Sequence, residues 1–117
     1  MTIAQFRRLA LSLPEAEERA HMGHPDFRVK EKIFATLFPR DKRTWGVLKL
    51  KPDQQRVLVK AHSDVFQPVP GGWGRQGATQ VRLERARVPI LRDAMITAWR
   101  NVAPKSLVQE QGLSDED

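Results

Sequence analysis

Three groups of residues in this sequence could take part in chemistry: a glycine-rich loop, a pair of histidines and a set of basic side chains. The loop at residues 71–77 contains the glycine spacing that binds the pyrophosphate of dinucleotides. That use needs a helix directly after the loop, whose N-terminus meets the phosphates. Residues 79–83 instead alternate like a strand. We therefore expect a tight strand-entry loop with Trp73 packed on the core. Phosphate binding by exposed amides beside Arg75 is an alternative.

His21 and His24 suggest a pair of metal ligands. A spacing of three places two side chains on opposite faces of a continuous strand. A metal site needs three or four ligands, but cysteine is absent and Asp26 is the only close carboxylate. No serine lies in a Gly-x-Ser-x-Gly turn, and no carboxylate pair is placed in an apolar pocket. We expect no metal site, no cofactor, no catalytic residue and no enzymatic activity.

Positive charge is the strongest chemical signal in the chain. The net charge is +6, and it reaches +10 over residues 1–108 because the last nine residues carry four acidic groups and no basic one. A field of this sign attracts phosphate backbones or acidic protein surfaces. A solvated surface that maintains solubility is the other interpretation. The candidate nucleic-acid-binding residues are Arg28, Lys30, Arg40, Lys42, Arg43, Lys49, Arg75 and Arg82.

The positions of these basic residues follow from the strand pattern. Arg28 and Lys30 alternate with apolar neighbours, so we expect them on one face of a strand. Residues 39–43 have the composition of a turn, which places Arg40, Lys42 and Arg43 at a hairpin tip. Four aromatic residues are expected in the core, which argues against a platform for stacking unpaired bases. They are Phe27, Phe34, Trp45 and Trp99.

Proline residues and capping signals delimit the helices that position these strands. A capping box begins at Thr2, and the helix that it starts ends at Leu11 or Leu13, before Pro14. Pro52 and Pro89 open two further helices. The strands between them are joined by turns too short for the crossovers of a parallel sheet. We predict an α+β fold in which three helices pack mainly on one face of an antiparallel sheet of about five to six strands.

Length and composition indicate one domain at residues 1–108, followed by an acidic C-terminal tail at 109–117 that we expect to be frayed. The lack of cysteine suits a reducing compartment. No apolar run approaches the ~20 residues of a membrane span, and the start of the chain lacks a secretory signal pattern. We expect a cytoplasmic, monomeric protein without membrane contact.

With these segments placed, the sequence resembles the MmcQ/YjbR-like family of small bacterial proteins. The order and spacing of several short segments carry the resemblance, rather than any single motif. The segments are residues 6–15, 24–29, 32–37, 49–50, 73–79, 81–83 and 98–105. The resemblance implies an α+β fold similar to that of secretion chaperones, described as a double-wing DNA-binding fold, without a settled activity. Ala78 stands where many members carry an aromatic residue, so no role of that ring carries over.

Composition and resemblance together favour a DNA-binding protein that contacts mostly phosphates through basic strands and hairpin tips. One alternative is a chaperone-like module that binds a protein segment in a groove between sheet and helix. Another is a small anion site at the loop formed by residues 71–77. A further hypothesis is that the acidic tail folds back on the basic surface and competes with its ligand.

Overall fold

A computed structural model describes residues 1–40 and 42–110. These residues form six strands, five α-helices and a 3-10 turn at Leu83–Arg85. The α+β class is confirmed. In chain order, the elements are α1 (Ile3–Leu11), β1 (Glu17–His21), β2 (His24–Val29), β3 (Lys32–Arg40), β4 (Arg43–Lys49), α2 (Pro52–Ala61), β5 (Phe66–Pro68), α3 (Gly72–Arg75), β6 (Ala78–Val81), α4 (Val88–Val102) and α5 (Lys105–Glu110).

The six strands form one antiparallel sheet in the order β1-β2-β3-β4-β6-β5. The first four strands are a meander, since each pairs with the next along the chain. Two-residue turns account for its first two hairpins. Met22 and Gly23 form one turn, Lys30 and Glu31 the other, and all four have positive φ, as a type I′ turn requires. Lys30 therefore lies beyond the end of β2. The expectation that it shares a strand face with Arg28 is wrong.

One face of the sheet forms the core together with the helices. Cross-strand partners share a face, so Ala35 and Leu48 lie on this side, as do Phe66 and Val81, and all four are buried. Helix α4 lies against β3 and β4 and contributes the buried stripe around Trp99. The indole Nε1 of Trp99 donates to the carbonyl of Pro14 at 3.0 Å, which links α4 to the segment between α1 and β1.

Gly46 in β4 makes room for the first helix. A Cβ built on Gly46 would lie 2.5 Å from Cε2 of the Phe6 ring, which is fully buried. The missing side chain thus lets α1 lie directly on the sheet, because a Cβ at that distance would force the ring to move.

The structure corrects several element predictions. The described residues contain five helices instead of three, because Gly72–Arg75 adds a single turn and Lys105–Glu110 adds a short helix whose Leu107 is buried. The boundary expected at residue 108 falls inside α5, while residues 111–117 of the acidic tail lie outside the described residues. The hairpin after β3 is tighter than expected, since Arg40 and Arg43 belong to the strands and pair with each other. No helix within 1–40 and 42–110 combines the length and apolarity needed to cross a membrane.

Candidate nucleic-acid interface

The second face of the sheet, called the open face here, carries polar, basic and aromatic side chains. Alternation along β3 and β4 places four side chains on this face: Phe38, Arg40, Arg43 and Trp45. Leu48 and its cross-strand partner Ala35 lie on the opposite face. The register pairs Phe38 with Trp45 and Arg40 with Arg43. Trp45 was expected in the core, where its ring would be unavailable for stacking. This expectation is wrong, because Trp45 is only half-buried.

Two predicted basic residues lie against the Trp45 ring, and a third, Arg43, lies two residues before Trp45 on the same face of β4. The guanidinium carbons of Arg40 and Arg82 lie 5.1 Å and 5.7 Å from the centroid of the indole ring, within cation–π range. Arg40 also donates from Nη2 to Oε1 of Gln80 at 2.9 Å. Arg43 donates from Nη1 to Oε1 of Glu84 at 2.7 Å. Arg40 and Arg82 thus lie over one indole, and Arg43 and Arg82 both lie near the carboxylate of Glu84. We call Arg40, Arg43, Trp45 and Arg82 the Trp45 cluster.

A cleft of about 300 Å³ adjoins the Trp45 cluster. It forms beside the first three residues of β4, which precede Gly46, the first residue of β4 that pairs with β6. The gap is bordered by the start of α1 and by the segment that leaves β6. Its lining includes Ile3, Thr44, Trp45, Arg82, Leu83 and Glu84. The cleft therefore has apolar walls and a charged rim.

The two histidines lie together, contrary to the expectation from a continuous strand. His21 and His24 flank the turn between β1 and β2 and pair directly, so both occupy the open face, with ring centroids 6.3 Å apart. The His24 ring lies 4.6 Å from that of Phe38, whose side chain is 37% exposed. Within residues 1–40 and 42–110, no group of three or more His, Cys, Asp or Glu side chains is placed to hold a metal ion.

Arg28 is committed to a buried carboxylate. It donates to Asp26 through Nε at 2.7 Å and Nη2 at 2.9 Å, while Nδ1 of His21 lies 2.7 Å from Oδ2 of the same group. The Arg28 bonds, followed by the His21 bond, hold the pKa of Asp26 below its usual value, although burial of the carboxyl opposes this. The carboxylate in turn raises the pKa of Arg28. Arg28 therefore has a structural partner that sequence reasoning missed.

The other predicted residues lie apart from the Trp45 cluster, with one exception. Lys30 forms an ion pair with Glu15 at 2.7 Å, which raises the pKa of its ammonium group. Lys49 lies at the opposite end of β4, and Arg75 ends α3. Lys42 is exposed in the turn that joins Arg40 to Arg43, so it borders the Trp45 cluster.

The glycine loop has a structural explanation. A Cβ at Gly74 would collide with the carbonyl of Val69, and one at Gly77, where φ is +113°, would collide with that of Leu50. The buried amide of Gln55 donates to the carbonyls of Gly74 and Ala78 at 3.0 Å and 2.9 Å. The expected strand does follow the loop as β6. The expected burial of Trp73 is wrong, since 42% of this residue is exposed.

Comparisons with known proteins agree with this architecture. The crystal structure of protein DR2400 from Deinococcus radiodurans, which contains the domain DUF419, superposes with a TM-score of 0.75. The alignment covers 97% of this chain and 90% of the other at 20% sequence identity, so it shows a shared fold alone. No curated protein matches the sequence. The family model described as YjbR matches residues 11–101. Because this match spans most of the chain, the protein belongs to the YjbR family, as the sequence resemblance implied.

Proposed function

We propose that the protein binds nucleic acid through the open face of its sheet, mainly by contacts to phosphates. The observation that carries the proposal is the position of Arg40 and Arg82 over the Trp45 ring, with Arg43 beside them on the same face. Guanidinium groups suit this role because their donors match the geometry of phosphate oxygens. Lys42 at the adjoining hairpin tip adds a fourth positive charge.

The remaining predicted contacts take a different weight in this proposal. Arg28 holds the buried carboxylate of Asp26, so its charge is largely neutralised locally, and Lys30 pairs with Glu15 at a position apart from the Trp45 cluster. Lys49 and Arg75 would contribute to the long-range field rather than to one contact surface. The net charge of +10 over residues 1–108 supports attraction of a polyanion from any direction. The Trp45 cluster would then set where the polyanion is held.

Binding of labelled duplex and single-stranded DNA across a salt series tests the proposal. The variant Arg40→Gln/Arg82→Gln removes two charges from the Trp45 cluster. The control Arg56→Gln/Arg92→Gln removes two charges from exposed positions on α2 and α4. Both variants have the same net charge, so only the position of the lost charges differs.

We expect affinity to fall steeply with salt, and the cluster variant to bind at least about tenfold more weakly than the control. Each lost phosphate contact should also reduce the slope of log K against log salt by roughly 0.7 to 0.9. Equal losses in the two variants would mean that binding follows net charge and not the Trp45 cluster. No binding at low salt would contradict the proposal.

A second candidate function, a protein-binding module, is favoured by one observation. The exposed ring of Trp73 borders a cleft of about 200 Å³ that is also lined by Lys49 and Lys51. An aromatic ring between lysines would suit an acidic segment that carries an apolar anchor. A pull-down from lysate with and without nuclease separates the two candidates. Partners retained after nuclease, and lost in Trp73→Ala, would favour protein binding.

A further inference from the structure

We infer that the cleft beside Trp45 takes an unpaired base of a single-stranded nucleic acid whose phosphates lie on the Trp45 cluster. This inference rests on the proposed nucleic-acid binding by the same face and names the form of nucleic acid that the face prefers.

The shape and lining of the cleft carry the first step. Its volume of about 300 Å³ is at the small end of ligand pockets, which suits one aromatic ring system rather than an extended ligand. Ile3 and Leu83 provide apolar surface on the side of the cleft formed by α1 and the chain after β6. Trp45 provides an aromatic surface on the side of β4. A flat, partly apolar ring would fill this space.

The rim of the cleft carries the second step. Arg43 and Arg82 line the cleft and also belong to the Trp45 cluster. A ligand that fills the cleft is therefore next to two guanidinium groups. A nucleotide has this combination of parts, because it joins a flat base to an anionic phosphate. Stacking of bases on aromatic rings together with a basic groove is how single strands are held without sequence preference.

Hydrogen-bonding groups in the cleft carry the third step. The carboxylate of Glu84 can accept from an N–H group of a base, and the hydroxyl of Thr44 can donate or accept. The first three residues of β4, Arg43 to Trp45, have no partner in β6. The backbone N–H and C=O groups on this edge of β4 are therefore open to the cleft. A base in the cleft would thus meet polar partners as well as apolar walls. In duplex DNA the same base edges are paired and stacked, so we expect duplex to leave the cleft unfilled.

The test compares two strands of about ten nucleotides, one of thymidine and one abasic, with the same number of phosphates. We expect the thymidine strand to bind wild-type protein at least about tenfold more tightly at the same salt concentration. Equal affinities would overturn the base cleft while leaving phosphate binding intact. Absence of binding by both strands at low salt would overturn the proposed function, and the cleft with it.

Two variants locate the effect. Trp45→Leu removes the aromatic wall, and Ile3→Trp fills the cleft from an exposed position at the start of α1. Each should abolish the preference for bases. Ile3→Trp should leave the affinity for the abasic strand nearly unchanged, whereas Trp45→Leu should weaken binding of both strands, because the ring positions Arg40 and Arg82. The second variant keeps the test decisive where loss of the Trp45 ring prevents folding. Trp73→Leu is the control and should keep the preference.

An acidic peptide is the competing ligand. A polyglutamate chain with the same number of charges as the oligonucleotide should compete weakly with the thymidine strand. Competition as strong as that of the unlabelled thymidine strand would overturn the inference, because the site would then recognise negative charge without bases.

Discussion

The guanidinium carbon of Arg40 lies 5.1 Å from the centroid of the Trp45 ring, across the β3–β4 hairpin from it on the same face of the sheet. The two residues come from neighbouring strands, and Arg82 reaches the same ring from the chain after β6. The indole thus positions basic side chains on the face of the sheet opposite to the one on which α1 and α4 pack. This relationship is the basis of the proposed nucleic-acid interface.

Stability should depend on the ionisation of Asp26. Its pKa is lowered in the folded protein, chiefly by Arg28, so the carboxylate stabilises the fold above the unfolded-state pKa of about 3.9. This contribution is lost as the pH falls from about 4 through the lower folded-state value. Asp26→Asn should reduce the free energy of unfolding at neutral pH by about 2 kcal/mol. It should also flatten the acid limb of the stability profile, measured by urea unfolding between pH 2 and 7. An unchanged acid limb would show that other carboxylates determine it.

Gly46→Ala should destabilise the fold through the Phe6 ring. The added Cβ would lie 2.5 Å from Cε2 of that ring, and overpacking of this kind costs about 1 to 3 kcal/mol. Phe6→Leu supplies the matched background, since the smaller side chain leaves room for a methyl group. In a double-mutant cycle measured by denaturant unfolding, Gly46→Ala should cost less in the Phe6→Leu protein. Equal costs in the two backgrounds would mean that the ring does not set the limit.

Gln55→Leu should loosen the glycine loop. The buried amide donates to the carbonyls of Gly74 and Ala78, and its removal leaves both acceptors without that donor. We expect a loss of about 2 kcal/mol in stability and faster hydrogen exchange in the loop and β6. Gln67→Leu, at an exposed position, is the control and should change neither quantity appreciably. Unchanged exchange in the loop of the Gln55 variant would contradict its role as an anchor.

Deletion of residues 111–117 should strengthen binding of anions if the acidic tail competes for the basic surface. The deletion removes three of the chain's acidic residues and no basic one, and it leaves α5 intact through Glu110. A change of Asp115, Glu116 and Asp117 to their amides tests charge separately from length. Both proteins should bind DNA more tightly at low salt than the full chain, with the difference reduced at high salt. Equal affinity at low salt would reject the autoinhibition hypothesis.

Much of the fold could be predicted because local signals agreed with it. The capping box at Thr2 is present, Pro52 and Pro89 lie in the first turns of their helices, and the strand periods gave an antiparallel sheet. The short helix α5 was missed because it follows Pro104 at once and has only one fully buried side chain, Leu107. The charged start of β1, Glu17 and Glu18, carries no apolar strand signal, because β1 is an edge strand that faces solvent.

The candidate site could be predicted only in part. Positive charge on predicted strands and a hairpin tip selected Arg40, Lys42, Arg43 and Arg82, but it did not distinguish them from Arg28, whose partner Asp26 is two residues away. Trp45 was assigned to the core because strand β4 has apolar residues on both faces. Which face helices cover is decided by packing between distant segments, here by Phe6 against Gly46. The register of neighbouring residues alone does not contain that information.

The indole N–H resonances in NMR spectra test the central claim most directly. The chain has three tryptophans in three environments: Trp45 in the cluster, Trp73 at the glycine loop, and Trp99 buried in the core. Titration with a short single-stranded oligonucleotide at low salt should shift the Trp45 resonance and the amides of Arg40 and Arg82. The indole signals of Trp73 and Trp99 should stay in place. Shifts at Trp73 without shifts at Trp45, or no shifts in any of the three, would contradict binding at the open face.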